Sequence, residues 1–276
     1  MENFPKSEPI HFLPNFSATA KVVPDPQKKS ATRSPSLEDA LIRAREMIVE
    51  GVDIIDVGGE STRPGAERTS VEEELSRVIP VISELRALGP LVSIDTMRSE
   101  VAQAAITAGA VIVNDVSGGL ADAKMAKLIA SNSAVQYVAM HWRGQSREMQ
   151  SLATYKDVVR EVRDELEERT IDLLKAGVDP EQIILDPGIG FAKTSAHNWE
   201  ILRNIDRLQL LGYPLLVGVS RKRFLGELTN TSAPDDREAA TIALTTELAR
   251  QKVWAVRTHS VKAQKDAILV ANELEL

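Results

Sequence analysis

Ile183-Ile-Leu-Asp-Pro-Gly-Ile-Gly-Phe-Ala-Lys193 opens as an unbroken apolar run and turns polar at Asp186. A short apolar run without alternation suits a strand covered on both faces, as strands of parallel sheets are. Asp186 falls at the end of that strand, where a carboxylate is costly unless something pairs with it. Pro187 and Gly188 then stop the strand and let the backbone come close to a ligand. The same sequence of apolar run, polar residue and Gly-bearing turn recurs along the chain, and the recurrence decides the fold.

Strands are predicted at Val52–Val57, Leu91–Asp95, Val111–Asn114, Val135–Met140, Ile183–Asp186, Pro214–Gly218 and Val253–Arg257. Helical apolar spacing falls between them, at Leu37–Glu50, Val71–Leu88, Ser99–Ala108, Lys124–Ala130, Tyr155–Ala176, Ala196–Leu211, Arg237–Arg250 and Val261–Ala271. Ile10–Leu13 is a candidate for one more strand, and Ala18–Ser36, rich in Pro, Lys, Ser and Thr, reads as a long mobile loop. Strict alternation of strand and helix implies a parallel sheet. Eight such units in 276 residues favour a closed (β/α)8 TIM barrel in one domain, residues 1–276, with an open doubly wound sheet as the alternative. Gly188-Ile-Gly190 is only a partial dinucleotide fingerprint, because Lys193 stands where the third glycine belongs.

The composition sets outer bounds. There is no cysteine, which excludes disulfides, thiolate metal sites and thiol catalysis. No apolar run approaches a membrane span, and Met1–Pro9 lacks the pattern of a secretory signal, so a cytoplasmic location is expected. A net charge of −7 disfavours a nucleic-acid surface, but a local cluster of cations still suffices for an anionic substrate.

In a parallel barrel the active site lies at the C-terminal strand ends. Those ends carry Asp56 with Thr62 and Arg63 beyond it, Asp95, Asn114 with Asp115, Met140 with His141, Asp186, Ser220-Arg-Lys222 beyond Gly218, and Arg257 with His259. Acids and an amide fall on the third, fourth and sixth strands. Cations fall on the loop after the second strand and on the seventh and eighth. The positive side suits a phosphate or pyrophosphate, and the acid-and-amide side suits a heterocycle with donor edges. Read as structural instead are Asp56 and Asp115, holding the Gly-rich loops through local backbone bonds, and His141, packed in a loop. Arg160–Arg169 reads as an exposed helix face with i,i+4 pairs.

Five segments in order resemble the motif set of the dihydropteroate synthase family. They are Asp56-Val-Gly-Gly-Glu-Ser-Thr-Arg-Pro-Gly65, Ser93-Ile-Asp-Thr96, Val113-Asn-Asp-Val-Ser-Gly-Gly119, Leu185-Asp-Pro-Gly-Ile-Gly-Phe191 and Gly218-Val-Ser-Arg-Lys222. The resemblance runs from about Leu37 to Ala271. It implies a TIM barrel that condenses 6-hydroxymethyl-7,8-dihydropterin diphosphate with 4-aminobenzoate and releases diphosphate in folate biosynthesis. It further implies that Asp95, Asn114, Asp186 and Lys222 hold the pterin, with Met140 and Gly218 in the same pocket. Arg63, Arg257 and His259 are implied for the diphosphate with Mg2+, and Thr62, Ser220 and Phe191 for the aminobenzoate region. A homodimer is expected from the family. The chemistry needs no strong base or protein nucleophile, which suits a chain without a Ser-His-Asp candidate.

The resemblance weakens at the start. The family opens with a strand ending in Asn, followed by Thr-Pro-Asp-Ser-Phe-Ser-Asp-Gly-Gly. Phe12-Leu-Pro-Asn-Phe-Ser17 is the candidate here, with Asn15 for the metal-contacting Asn and Ser17 for the Thr. Ser260 follows His259 where the family has Asp. These departures leave open a pterin-binding paralogue with an impaired or altered aminobenzoate step and altered sulfonamide sensitivity. A corrinoid-dependent methyltransferase pterin domain is a further alternative, disfavoured by Arg63, the Ser220–Lys222 segment and Arg257, since methyltetrahydrofolate carries no diphosphate.

Overall fold

The computed structural model describes residues 17–22, 37–60, 69–144 and 151–274, with the backbone alone for Ser17–Val22. Its strands are β1 (Ser17–Val22), β2 (Ile54–Gly58), β3 (Leu91–Asp95), β4 (Ile112–Asp115), β5 (Gln136–Met140), β6 (Ile183–Asp186), β7 (Leu216–Val217) and β8 (Ala255–Thr258). The helices between them are α1 (Leu37–Val49), α2 (Val71–Leu85), α3 (Ser99–Ala108), α4 (Met125–Ala130) and α5 (Val158–Lys175). Then follow α6 (Ser195–Arg203), α7 (Ile205–Gln209), α8 (Arg223–Thr229), α9 (Glu238–Arg250) and α10 (Val261–Glu273).

All strand pairs are parallel, and their order is β6-β5-β4-β3-β2-β1-β8-β7. The ends of that row meet. Leu185 bridges to Leu215, and Leu185 N donates to Pro214 O at 2.9 Å. The result is a closed (β/α)8 barrel. Among the described residues no helix is long and apolar enough to cross a membrane.

Side chains alternate across a strand, and this period of two builds the site. Ile54, Ile112, Val138, Ile184, Leu216 and Ala255 point inward and form an apolar plug, with Leu91 and Trp254 packed against it. Their immediate neighbours Ile55, Val113, Tyr137, Ala139, Ile183, Leu185, Val217 and Val256 belong to the outer core under the helices. Burying each large aliphatic side chain stabilises the barrel by about 1.5–3 kcal/mol. Two residues beyond the plug, each strand again faces inward, now at the C-terminal mouth. Those positions hold Asp56, Asn114, Met140, Asp186, Gly218 and Arg257, with Ser93 and then Asp95 above Leu91. A polar layer therefore sits directly on an apolar floor.

Three sequence expectations change. The first strand is Ser17–Val22, not Ile10–Leu13, which lies outside the described residues. Part of the stretch read as loop, Ala18–Val22, is therefore strand. The segment 196–211 is two helices, broken at Asn204, whose amide folds back to Glu200 O at 2.8 Å. A short helix, α8, also follows Lys222 where none was expected.

Candidate active site

Asp56 is the hub of the polar layer. Fully buried, it accepts from Ser93 Oγ at 2.8 Å, Asn114 Nδ2 at 3.1 Å and Arg257 Nε at 2.8 Å. Arg257 extends the network to β3, where its Nη2 donates to Asp95 Oδ2 at 3.0 Å. Side chains from β2, β3, β4 and β8 thus form one connected group. A guanidinium fits this place because its planar fork reaches two carboxylates at once. The neighbouring Asp56 and Asp95 carboxylates hold Arg257 above the usual range, against the opposing effect of burial. Two expectations shift here. Asp56 bonds to side chains of β3, β4 and β8 in the polar layer rather than to the backbone of its own loop. Arg257 reaches across the mouth to the acids instead of standing with the cations. Asp95 does not cap the following helix, whose N-cap is Arg98. Asp115 does hold its own loop, accepting from Ser117 N and Oγ, Gly119 N and Tyr137 Oη.

Asp186 faces the same mouth from β6. Its Oδ1 accepts from Gly188 N at 2.7 Å. Burial raises its pKa, and the charges of Lys222, Arg257 and Lys193 oppose that shift. The loop beyond it bends back over His141. A Cβ on Gly188 would lie 2.5 Å from the His141 carbonyl, and its φ is +65°, so glycine is required there on both counts. Gly190 N donates to Asn198 Oδ1 at 2.7 Å, and Lys222 lies along the Gly190 backbone. The Lys222 ammonium donates to Ile189 O and stands 5.0 Å from the centre of the Phe191 ring. Burial pushes Lys222 down to about 8, against the pull of Asp186. Met140 and Gly218 border this group, with Met140 Cγ near Gly188 and Lys222 Nζ near Gly218.

On the β7–β8 side, Ser220 Oγ pairs with His259 Nδ1 at 2.9 Å and accepts from His259 N at 3.2 Å. Arg221 binds Glu238 and Asp235 and donates to Ser260 Oγ at 2.8 Å. Carboxylates from the start of α9 and the turn before it thus meet Arg221 where Ser260 supplies only a hydroxyl.

The structure therefore brings together Asp95, Asn114, Met140, Asp186, Phe191, Gly218, Ser220, Lys222, Arg257 and His259 at one mouth. Asn15, Thr62 and Arg63 lie outside the described residues. Asn15 was expected just beyond a strand at residues 10–13. β1 ends at Val22, two residues before Pro24-Asp25, a pair like the Pro-Asp that follows the family's opening strand. Lys21 is the register partner of Asp56. The Pro-Asp spacing was the signal that could have located β1.

A second group was missed. Lys193 is 3% exposed, and its Nζ contacts His141 Nδ1 at 2.9 Å, Gly188 O at 3.1 Å and Phe191 O at 3.1 Å. His141 Nε2 pairs with Glu165 Oε2 at 2.9 Å. Arg143 binds Glu165 and Glu161 and lies 3.9 Å over the Tyr155 ring. Half-buried Glu161 and Glu165 of α5 thus bond to His141 and Arg143, which corrects the exposed-face reading of Arg160–Arg169 at those two positions, while Arg160, Asp164, Glu167 and Glu168 are exposed as expected.

Residues 21–259 match the family model described as "Pterin binding enzyme". The chain is 49% identical over 239 residues to the dihydropteroate synthase of Mycobacterium leprae (strain TN), covering 84% of each chain. It is similar to the Xanthomonas albilineans dihydropteroate synthase solved with 4-aminobenzoic acid, at a TM-score of 0.88 and 38% identity, over 95% of this chain and 93% of that one. A structure of the X. albilineans enzyme in complex with 7,8-dihydropteroate superposes at a TM-score of 0.83 with 34% identity, over 95% and 94% of the two chains. The family model spans nearly the whole barrel and the dihydropteroate synthase relatives cover most of the chain, so the chain belongs to the dihydropteroate synthase family.

Proposed function

We infer that this chain condenses 6-hydroxymethyl-7,8-dihydropterin diphosphate with 4-aminobenzoate, forming 7,8-dihydropteroate and releasing diphosphate. The observation that carries the reading is the layer of buried Asp56, Asp95, Asn114 and Asp186 with half-buried Arg257 across it and the Lys222 ammonium beside it. Asp186 is suited to accept the adjacent ring N–H and amino donors of a pterin, and the Asn114 amide and Asp95 lie on the facing strands. Lys222 and Arg257 supply positive charge where an anion departs. In the reaction the methylene C–O bond breaks with its electron pair going to diphosphate. The arylamine nitrogen forms the new C–N bond and gives up one proton to solvent. The protein's part is to orient two substrates, stabilise the leaving charge and limit access of water. The Ser220–His259 pair and the Phe191 ring border the expected aminobenzoate side.

Among the described residues no three His, Asp or Glu side chains gather into a metal site. Asp56 and Asp95 are engaged by Arg257. The described residues do not form a metal cage of their own. The Mg2+ ion would come on the substrate's diphosphate oxygens, the usual mode for an ion that keeps most of its waters.

The test is direct assay of dihydropteroate formation by the purified chain. Product dependent on both substrates is expected, and its absence would sink the reading. Asp186→Ala should raise the pterin KM by about tenfold or more, as loss of a charge-assisted hydrogen bond does. The Lys21-Val22 ending of β1 favours altered sulfonamide sensitivity, which inhibition curves beside an ordinary family member would measure. A homodimer, testable by sedimentation, and a cytoplasmic location complete the reading.

A further inference from the structure

The loop between β6 and α6 carries much of what the site uses. It receives Asp186, supplies the Ile189 carbonyl that holds Lys222, and presents the Phe191 ring. Lys193 is buried against this loop, and the reaction assigns it nothing. Burying an ammonium is expensive unless every donor is matched. Here three N–H donors meet three acceptors: the Gly188 and Phe191 carbonyls and His141 Nδ1. For Nδ1 to accept, the imidazole carries its proton on Nε2, where Glu165 accepts it. Burial and the nearby Lys193 charge push His141 down to about 4, consistent with a neutral ring. Arg143 in turn fixes Glu165 from α5, and Tyr155 Oη donates to Ala192 O at 3.0 Å. The two carbonyls that Lys193 holds flank Ile189 and Gly190, the segment along which Lys222 lies.

We propose that Lys193 is a positioning residue for pterin diphosphate binding: backed by His141 and Glu165, it fixes the Gly188–Phe191 backbone in the shape that sets Lys222 and Asp186. The proposal rests on the function inferred above. A purely structural lysine would leave ligand affinity alone, because an apolar side chain of similar length fills the same space without burying a charge.

The experiment is calorimetric titration of pterin diphosphate into the wild type, Lys193→Met and Glu165→Gln, with steady-state kinetics on each. Lys193→Met should bind the ligand about tenfold more weakly, the cost of a loosened site, and raise its KM by the same factor with kcat little changed. Glu165→Gln, which keeps Lys193 but removes the charge behind His141, should weaken binding about threefold, as loss of one hydrogen bond's worth does. A folded Lys193→Met with wild-type affinity and KM overturns the proposal. Should that variant fail to fold, Glu165→Gln decides: weakened binding supports it and unchanged binding overturns it. A wild type that does not bind pterin diphosphate overturns both this inference and the function beneath it. A binding wild type with indifferent variants overturns this inference alone.

Discussion

Gly188 shows how one residue joins the pterin side of the site to the structure behind it. Its N–H reaches Asp186, its carbonyl takes Lys193, and its α-carbon faces the His141 carbonyl too closely for a side chain. Gly177, at φ +93°, separates the two penalties, because a Cβ there would meet only Ala130 Cβ at 3.7 Å. Gly177→Ala should therefore cost only the left-handed backbone term, about 1–2 kcal/mol. Gly188→Ala bears the same term plus a clash with backbone, which cannot swing aside. A loss of at least about 3 kcal/mol is expected, beyond the strain of a single unfavourable backbone geometry. Urea unfolding of the two variants checks the difference, and equal midpoints would remove the clash from the account. Gly188→Ala should also weaken pterin binding, since the loop can relieve the clash only by moving Asp186 or Lys222.

Between elements, the clearest clasp is Arg98, just before α3. Its guanidinium binds Glu74 on α2, Glu60 at 2.9 Å and the Thr69 carbonyl at 2.7 Å. Glu60 and Thr69 are the two stems of the segment between β2 and α2, so one side chain ties both to the neighbouring βα unit. Thr96 Oγ1 adds a bond to Glu74 at 2.7 Å, and Arg77 holds Gly59 O at 2.8 Å. Glu74 is 1% exposed, and burial raises its pKa. Arg98→Met would leave that carboxylate buried without its cation, a change that costs about 3–5 kcal/mol. The double variant with Glu74→Gln should recover part of the loss, because the amide still accepts from Thr96. Simple additivity in chemical unfolding would argue against the clasp. None of this was legible in the sequence, because the partners are 24 and 29 residues apart. Asn114 and Asp186 were legible, since a polar residue two positions after an inward apolar one marks a strand's mouth end, and Asp95 follows the same period four positions after Leu91. Glu165 was misread as solvent-facing because its partners, His141 and Arg143, lie on another element. The α8 helix, seven residues long, carries too few turns for a periodic signal. The first strand was misplaced because an apolar run at residues 10–13 outweighed the weakly patterned Ser17–Val22.

At the scale of the whole molecule, buried Lys193 and half-buried Lys222 couple stability to binding through pH. Burial pushes Lys193 down to about 7 and Lys222 down to about 8, while an unfolded lysine keeps its ordinary value near 10.5. Above about pH 7 the folded chain therefore releases a proton at Lys193 that the unfolded chain still binds. Stability rises with pH wherever the unfolded state binds more protons, so this group's burial penalty fades between about pH 7 and 10.5. The rest of a chain with net charge −7 also titrates, and a difference between variants removes that background. Measured against Lys193→Met, wild-type stability should be lowest at pH 6.5 and gain steadily to pH 9.5. A difference that stays flat across this range would mean that the ammonium is not penalised by burial. Ligand binding should run the other way. Lys222 loses its positive charge as pH passes about 8, so affinity for pterin diphosphate falls while the free protein becomes more stable. Unfolding midpoints and calorimetric Kd values over one pH series test both trends. Opposed slopes are the expected result, because losing the Lys193 charge relieves the fold of a burial penalty while losing the Lys222 charge removes an attraction for the anion.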